Sequence, residues 1–236
     1  MTPLSAGSLV LRKIPYQDAH LIVTWLTDSF GVISTLARHA RSSSKRFDAI
    51  EPVHTYRVSY REGKGGLAAL IEARLLTVRL RLTSDLEALD AAGFVFRWAR
   101  ALLPAKTPEP EVFALIVKFL DDVEGGHVDG KTCAVRTGIR LLELSGYGLS
   151  LDACVKCARA RPSGRDAYVS PEAGGVVCRA CGGGRKVLDD GVLSALRLAD
   201  EAPLSPDYVR AGLHLIDETV NAHASGGTGG TSGGTR

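Results

Sequence analysis

Four of the five cysteines in this chain form two closely spaced pairs, and no other feature of the sequence restricts its fold as strongly. The first pair is Cys154-Val-Lys-Cys157, the second is Cys178-Arg-Ala-Cys181, and 20 residues separate them. Two residues between cysteines let both thiolates reach one ion, and two such pairs complete a tetrahedral site. The spacing predicts one structural zinc ion per chain, bound by Cys154, Cys157, Cys178 and Cys181.

The alternative interpretation of these cysteines is two redox dithiols or unrelated thiols. Zinc is favoured because glycines flank the second pair, where the backbone must turn tightly around an ion. A site with four protein ligands leaves no position for water, so we expect it to fold a loop and not to catalyse a reaction. Cys133 stands alone in a helical pattern and is predicted to be a small buried side chain.

No targeting or membrane segment is visible, and this bears on the state of the thiols. The only charges near the start, Arg12 and Lys13, follow the first apolar run, the reverse of a signal peptide. No apolar run approaches the roughly 18 residues of a membrane span. We therefore expect a cytoplasmic protein with no membrane contact, in which structural disulfides are disfavoured.

The first 80 or so residues show the alternation of short β-strands. Strands are predicted at residues 9–14, 20–27, 31–37, 54–60 and 67–73. In the fourth of these, Tyr56, Val58 and Tyr60 share one face, as expected for a half-buried strand. Five short strands in this length predict a small Greek-key barrel, and the OB-fold is the common five-stranded form.

Beyond that point the apolar period becomes helical. A capping signature at residues 84–87 predicts a helix that ends at Pro104, and Pro108 suits the first turn of a second helix that ends at Gly125-Gly126. Further helices are predicted at residues 132–145, 189–200 and 206–223. The predicted class is α+β, with an OB-fold domain (1–82) and a helical domain (83–224) that contains the zinc module at about 154–181. Residues 225–236 are nearly all Gly, Ser and Thr and are predicted to be a disordered tail.

Residues 125–132, Gly-Gly-His-Val-Asp-Gly-Lys-Thr, match the phosphate-loop pattern of nucleotide-binding proteins. The context does not fit, because a phosphate loop follows a buried strand and these residues follow a helical pattern. Asp121, Asp122 and Glu124 would also place negative charge beside a polyphosphate. We predict a turn between two helices, no bound nucleotide and no enzymatic activity.

Positive charge is concentrated in the predicted barrel. Residues 1–82 hold 12 Lys/Arg against 6 Asp/Glu, whereas residues 83–236 hold 17 against 20. In the segment after the third strand, cations flank three consecutive serines, and long cations with hydroxyls suit contacts to phosphate. The candidate DNA-binding residues are Arg12, Lys13, Arg38, Arg41, Lys45 and Arg46. A solvated basic loop is the alternative. Five aromatic residues of the barrel could stack on bases, although most are expected in its core: Tyr16, Trp25, Phe47, Tyr56 and Tyr60.

The chain resembles the RecO family of bacterial recombination mediators over nearly all of residues 8–200. Three stretches carry the resemblance: Leu9-Val-Leu-Arg-Lys-Ile-Pro-Tyr16, Arg140-Leu-Leu-Glu-Leu-Ser-Gly-Tyr147 before the first cysteine pair, and Ser170-Pro-Glu-Ala-Gly-Gly-Val-Val-Cys178 at the second. His39 stands where the family's Ala-Arg-Gly motif has glycine.

The resemblance implies an N-terminal OB-fold, a helical C-terminal domain and an embedded zinc module. It also implies binding of single- and double-stranded DNA and annealing of complementary strands. Implied partners are RecR, with which such a protein helps load RecA, and the acidic C-terminal tail of single-strand-binding protein. An acidic tail needs cations on a helical domain that is otherwise net negative, and the candidates are Arg97, Arg100, Arg136 and Arg140.

The favoured hypothesis is therefore a non-enzymatic, nucleoid-associated recombination mediator. A zinc-dependent nucleic-acid-binding module of another pathway is the second hypothesis, and an NTP-driven enzyme is the third. Strand annealing distinguishes the first two, and nucleotide hydrolysis would identify the third.

Overall fold

The computed structural model of the chain describes residues 2–41, 46–63, 66–126, 128–197 and 204–224. The chain divides into two compact units, and the division falls between Ala134 and Val135. The first unit contains the barrel, three helices and the start of a fourth. The domain boundary at residue 82 stays a prediction, and the predicted tail at 225–236 lies outside the described residues.

Five strands close into a barrel in the first unit. They are β1 (Leu4–Tyr16), β2 (His20–Thr27), β3 (Gly31–Ala37), β4 (Thr55–Arg61) and β5 (Leu67–Thr77). Their order around the closed barrel is β1-β2-β3-β5-β4. The pair of β3 and β5 is parallel, and all other paired strands are antiparallel. This five-stranded Greek-key closure confirms the predicted OB-fold.

The first strand is longer than the sequence predicted, because it serves two neighbours. Its first half pairs with β4, from Leu4 opposite Tyr60, and its second half pairs with β2, up to Tyr16 opposite His20. A bulge between Val10 and Arg12 accompanies the change of partner. Bulges bend a strand and increase its twist, which allows one strand to close a small barrel.

The barrel core is aromatic and fully packed. Trp25 and Tyr56 meet edge to face with ring centroids 5.5 Å apart, and the Trp25 indole N–H donates to Thr35 Oγ1 at 2.9 Å. The Tyr56 hydroxyl donates to the carbonyl of Ala49 at 2.7 Å. Of the five aromatic residues considered for stacking, four are buried, and only Tyr16 is exposed, at 42 %. The expectation that most of them belong to the core is confirmed.

Three helices follow the barrel within the first unit: α1 (Leu80–Ser84), α2 (Leu86–Leu102) and α3 (Pro110–Gly125). The N-cap of α2 is Asp85, one residue later than the predicted Ser84. Asp85 Oδ1 accepts the backbone N–H groups of Glu87 and Ala88 at 2.9 and 3.2 Å, whereas Ser84 closes α1. Similarly α3 begins at Pro110 and not at Pro108, and Gly126 ends it in the left-handed conformation, as predicted.

An arginine is buried where the barrel joins the helices. Arg79 is 1 % exposed, and its guanidinium donates to Asp121 Oδ1 at 2.9 and 2.7 Å, and also to the Val53 carbonyl and the Thr55 hydroxyl. These bonds connect the end of β5 to both β4 and α3. No local sequence pattern indicates this contact, because Asp121 lies 42 residues from Arg79.

Removing the Asp121 carboxylate should destabilise the first unit. Asp121→Ala leaves a buried guanidinium without its counter-ion, which costs roughly 3–5 kcal/mol for a fully buried pair. Asp121 is itself 56 % exposed, so water offsets part of that cost and we expect about 2 kcal/mol in denaturant unfolding. The matched control is Asp122→Ala, whose partner Lys118 is exposed and which should cost less than about 0.5 kcal/mol. Equal losses from both changes would contradict this role for Arg79.

The second unit combines helices with a small sheet. The helix α4 (Gly130–Leu144) crosses the boundary, and β6 (Ala167–Ser170), β7 (Gly175–Val176), β8 (Lys186–Leu188), α5 (Asp190–Arg197) and α6 (Pro206–Ala224) follow it. The sheet has the order β7-β6-β8 and was not predicted. Along α4, Val135 and Leu142 are buried, while Arg140 and Glu143 are exposed. Within the described ranges, no helix combines the length and apolar character needed to cross a membrane.

Candidate metal centre and nucleic-acid interface

Each cysteine pair forms a tight backbone knuckle. In the first, the Ala158 N–H donates to the Cys154 carbonyl at 2.8 Å. In the second, the N–H groups of Cys181 and Gly183 both donate to the Cys178 carbonyl, at 2.9 and 3.0 Å. Gly182 has φ 104°, which a residue with a Cβ adopts only with strain, so glycine is required directly after the pair.

The two knuckles face each other because the backbone pairs between them. The Val155 N–H donates to the Val176 carbonyl at 2.9 Å, and the Cys178 N–H donates to Cys154 Sγ at 3.4 Å. All four thiol sulfurs lie within 4.8 Å of one another. For metal–sulfur bonds of roughly 2.3 Å, the corners of a tetrahedron are roughly 3.8 Å apart, which matches the Cys157–Cys178 separation of 3.8 Å. The arrangement could therefore hold a metal ion.

The electrostatics of the four thiols also fit a cation. The Cys178 backbone N–H is the main cause that lowers the pKa of Cys154 to about 6, so this thiol readily becomes a thiolate. Hydrogen bonds with the sulfurs of Cys178 and Cys157 raise the pKa of Cys181 to about 12. Cys154 therefore ionises easily, whereas Cys181 resists ionisation. A divalent ion removes that conflict, since thiolates are its ligands.

Cys133 takes no part in this cluster. It lies in α4 at 6 % exposure, as predicted for a small buried side chain.

Of the predicted DNA-binding residues, Arg38, Arg41 and Arg46 follow the end of β3, whereas Arg12 and Lys13 lie within β1. Arg12, Arg38, Arg41 and Arg46 are exposed, and Lys45 lies outside the described residues. Arg41 donates to the Asp18 carbonyl at 3.2 Å, and Arg46 donates to the Arg38 carbonyl at 3.1 Å. These bonds use backbone acceptors, so the positive charges of this basic loop (residues 38–46) are not neutralised by them.

Two details qualify the predicted interface. Lys13 is half-buried, donates to the Ile50 carbonyl at 3.2 Å and forms an ion pair with Glu51, so its charge is largely satisfied within the barrel. His39 has φ 60°, the left-handed conformation that its glycine counterpart in the family motif would adopt without strain. The start of the loop is therefore shaped as a glycine would shape it, with the His39 N–H donating to His20 Nδ1 at 3.0 Å.

The four candidate partner-binding arginines belong to two compact units. Arg97 and Arg100 lie on α2 in the first unit, and Arg136 and Arg140 lie on α4 in the second. Arg100 donates to the Leu11 carbonyl at 2.8 Å. Burial lowers its pKa most, and the positive charges of Arg12 and Arg97 lower it further. Arg12 was predicted for DNA and the other two for a partner, yet the three form one cationic cluster.

The phosphate-loop match lies where α3 ends and α4 begins, as predicted. The residues before it belong to α3, and α4 begins at Gly130. The backbone N–H groups of Lys131 and Thr132, which a phosphate loop would offer to its ligand, donate instead to Asp129 Oδ1 at 3.0 and 2.9 Å. A carboxylate therefore occupies the place of an anion at this helix start.

The charge of the metal-binding segment (residues 154–186) was overlooked in the sequence. This segment holds seven Lys/Arg against two Asp/Glu. Averaging over residues 83–236, which are net negative, concealed it. A count over a shorter window centred on the cysteine pairs would have found it.

Comparisons with known proteins match both parts of the chain to the family that the sequence resembles. Residues 1–79 match the family described as Recombination protein O N terminal, and residues 83–229 match Recombination protein O C terminal. The chain is 34 % identical to the DNA repair protein RecO of Geobacter sulfurreducens over 185 residues, which cover 77 % of this chain and 74 % of that protein. It is 30 % identical to the RecO of Rubrobacter xylanophilus over 241 residues, which cover 96 % of both.

Proposed function

Since the chain belongs to the RecO family of DNA repair proteins, we propose that it is a recombination mediator that binds single- and double-stranded DNA and anneals complementary strands. The observation that carries this proposal is the pair of family matches, which together span both the barrel and the helical part. The closed five-stranded barrel with exposed cations on β1 and after β3 supports it, because such barrels bind nucleic acids. The proposal places the chain at the nucleoid in the cytoplasm, where chromosomal DNA lies.

In this proposal the metal is one zinc ion per chain, held by the four clustered cysteines. Zinc suits four thiolates in a tetrahedron and has no redox chemistry of its own. With all four positions taken by protein, it stabilises the fold of the second unit and takes no part in a reaction. We accordingly propose that the protein is not an enzyme and uses no nucleotide.

The proposed partners are RecR, with which the chain would help load RecA, and the acidic C-terminal tail of single-strand-binding protein. Cations attract an acidic tail, and the tail would raise the local concentration of the mediator at coated DNA. Arg136 and Arg140 on α4 are our candidates on the helical part. Arg97 and Arg100 are candidates as well, although their proximity to Arg12 also suits a phosphate.

Charge reversal in the basic loop tests the DNA-binding part of this proposal. Arg38, Arg41, Lys45 and Arg46 changed together to Glu should weaken binding of all oligonucleotide sequences alike, because phosphate contacts do not read bases. Each lost phosphate contact should reduce the log–log salt slope by roughly 0.7 to 0.9, and four should lower affinity by at least about 100-fold near 0.1 M salt.

The measurement is fluorescence anisotropy across a salt series, with melting temperature to confirm that the barrel is folded. The same four residues changed to Gln form the control, and this variant should give an intermediate loss, because it removes charge without reversing it. A folded Glu variant that binds like the wild type would show that the loop is merely a solvated surface.

A further inference from the structure

The metal-binding segment carries five exposed cations that the ion pairs among the described residues do not include. We propose that it is a second nucleic-acid-binding site, which takes the phosphodiester backbone of a DNA strand independently of the basic loop. The inference rests on the proposed function, since it supposes a chain that acts on DNA. It adds a site to which no role beyond metal binding was assigned.

The seven cations of the segment divide into two groups. Arg161 is nearly buried and forms an ion pair with Asp190, and Lys186 forms one with Glu218 at 2.5 Å. The remaining five are exposed, and the ion pairs among the described residues include none of them: Lys156, Arg159, Arg165, Arg179 and Arg185. Elsewhere exposed cations often pair with carboxylates, as Lys118 does with Asp122 and Arg210 with Asp207.

Part of this charge offsets the metal site itself. Four thiolates and one divalent ion leave a net charge of about −2. Lys156 and Arg179 each lie between the two cysteines of a pair, and Lys156 donates to the Cys181 carbonyl at 3.2 Å. These two cations suffice to balance the metal site. Arg159, Arg165 and Arg185 lie outside the pairs, and against the segment's two carboxylates, Asp166 and Glu172, they leave an excess of one positive charge.

The small sheet offers a second kind of contact to a nucleic acid. Val169 lies opposite Lys186 and is fully buried, and Lys186 binds Glu218 of α6, so this face of the sheet packs inward. Tyr168 and Val187 form the neighbouring pair and therefore point to the other face, where Val187 is 54 % exposed.

An arginine completes this outer face. The Arg179 guanidinium lies 5.5 Å from the centre of the Tyr168 ring. An open sheet face that combines an aromatic ring, an arginine and an exposed aliphatic side chain is suited to a single strand. Bases stack on the ring and the guanidinium plane, while nearby cations contact phosphates. Charge and shape thus indicate the same ligand.

The test neutralises the excess cations without touching the metal site. The variant with Arg159→Gln, Arg165→Gln and Arg185→Gln should bind a single-stranded oligonucleotide about tenfold or more weakly near 0.1 M salt, and its salt slope should be shallower by about 2. Its zinc content should stay at one per chain. An oligonucleotide containing iododeoxyuridine should cross-link, on irradiation of the full-length protein, to the peptide that contains Tyr168.

A matched control removes the same charge elsewhere. Lys106→Gln, Lys118→Gln and Arg210→Gln also delete three cations, but each of these is ion-paired on an exposed surface, and binding should change less than twofold. If the triple variant of the metal-binding segment binds like this control, or cross-links form only with the barrel, the second site is refuted. Loss of zinc from the triple variant of the metal-binding segment would also refute it, because the arginines would then be needed for metal binding. If the wild type binds no DNA, the proposed function itself fails.

Discussion

Replacing Cys178 with serine should release the metal and lower the melting temperature of the protein by roughly 10 °C or more. A neutral hydroxyl is a poor ligand for zinc, and the three remaining thiolates cannot complete the tetrahedron. Zinc binding in small modules contributes roughly 10–16 kcal/mol to folding, so the loss of even part of it exceeds the stability of the segment. Its sheet is too small to compensate, since β7 has two residues and β8 has three.

Metal analysis and calorimetry of the purified protein measure both effects. The matched control is Cys133→Ser, which also removes a thiol, but from a buried position in α4 outside the cluster. It should keep one zinc per chain and cost about 1 kcal/mol. A wild-type protein that contains no zinc and has disulfides at these cysteines would refute the metal site, as would a Cys178→Ser variant that retains zinc and its stability.

The barrel could be predicted well where local pattern and pairing agree. The bounds predicted for β2 and β3 match the structure, because both strands have a dense run of β-branched and apolar residues between clear turns. The start of β1 could not be found in this way. Ala6, Gly7 and Ser8 have little preference for strands, and they are extended because β4 pairs with them. Such pairing depends on residues about 50 positions away and leaves no local signal.

The cysteine cluster shows the same contrast on a smaller scale. The grouping of its four cysteines followed from spacing alone, since each pair is a local turn and a shared metal ion would explain why two pairs occur. The three-stranded sheet around it could not be predicted, because strands of two to four residues are too short to show a period of two.

The candidate interface was least predictable where charges are neutralised over long distances. Lys13 reads as a free cation in the sequence, but it pairs with Glu51. Arg100 reads as part of the helical half, yet it binds the carbonyl of Leu11, 89 residues earlier, and lies near Arg12. Counting charge by segment detects a basic region, but it cannot show which cations remain available to a ligand.

Annealing of coated strands should be the activity most strongly affected by this protein. Two strands repel each other through their phosphates, and a basic barrel that screens this repulsion speeds their encounter, as electrostatic attraction does in general by roughly 10- to 1,000-fold. In the proposed function, a second contact with the acidic tail of the coating protein would keep the mediator at coated DNA. Because both effects are needed, strands coated with a tail-less coating protein should anneal more slowly than those coated with the intact one.

Nucleotide should be irrelevant to this activity. The Lys131→Ala variant should anneal strands at the wild-type rate, because the N–H groups of Lys131 and Thr132 at the start of α4 already bind Asp129. A requirement for ATP, or loss of annealing in a folded Lys131→Ala variant, would restore the phosphate-loop interpretation and contradict the proposal that the protein is not an enzyme.

The most direct test of the mediator function is the rate at which complementary strands, each coated beforehand with single-strand-binding protein, become duplex in the absence of nucleotide. Fluorescence quenching between labelled strands follows this rate, and strands without the protein provide the baseline. We predict an acceleration of at least about tenfold that falls when the acidic tail is removed and falls again in the Glu variant of the basic loop. A protein that binds bare DNA tightly but leaves coated strands at the baseline rate would contradict the account and favour a zinc-dependent nucleic-acid-binding module of another pathway.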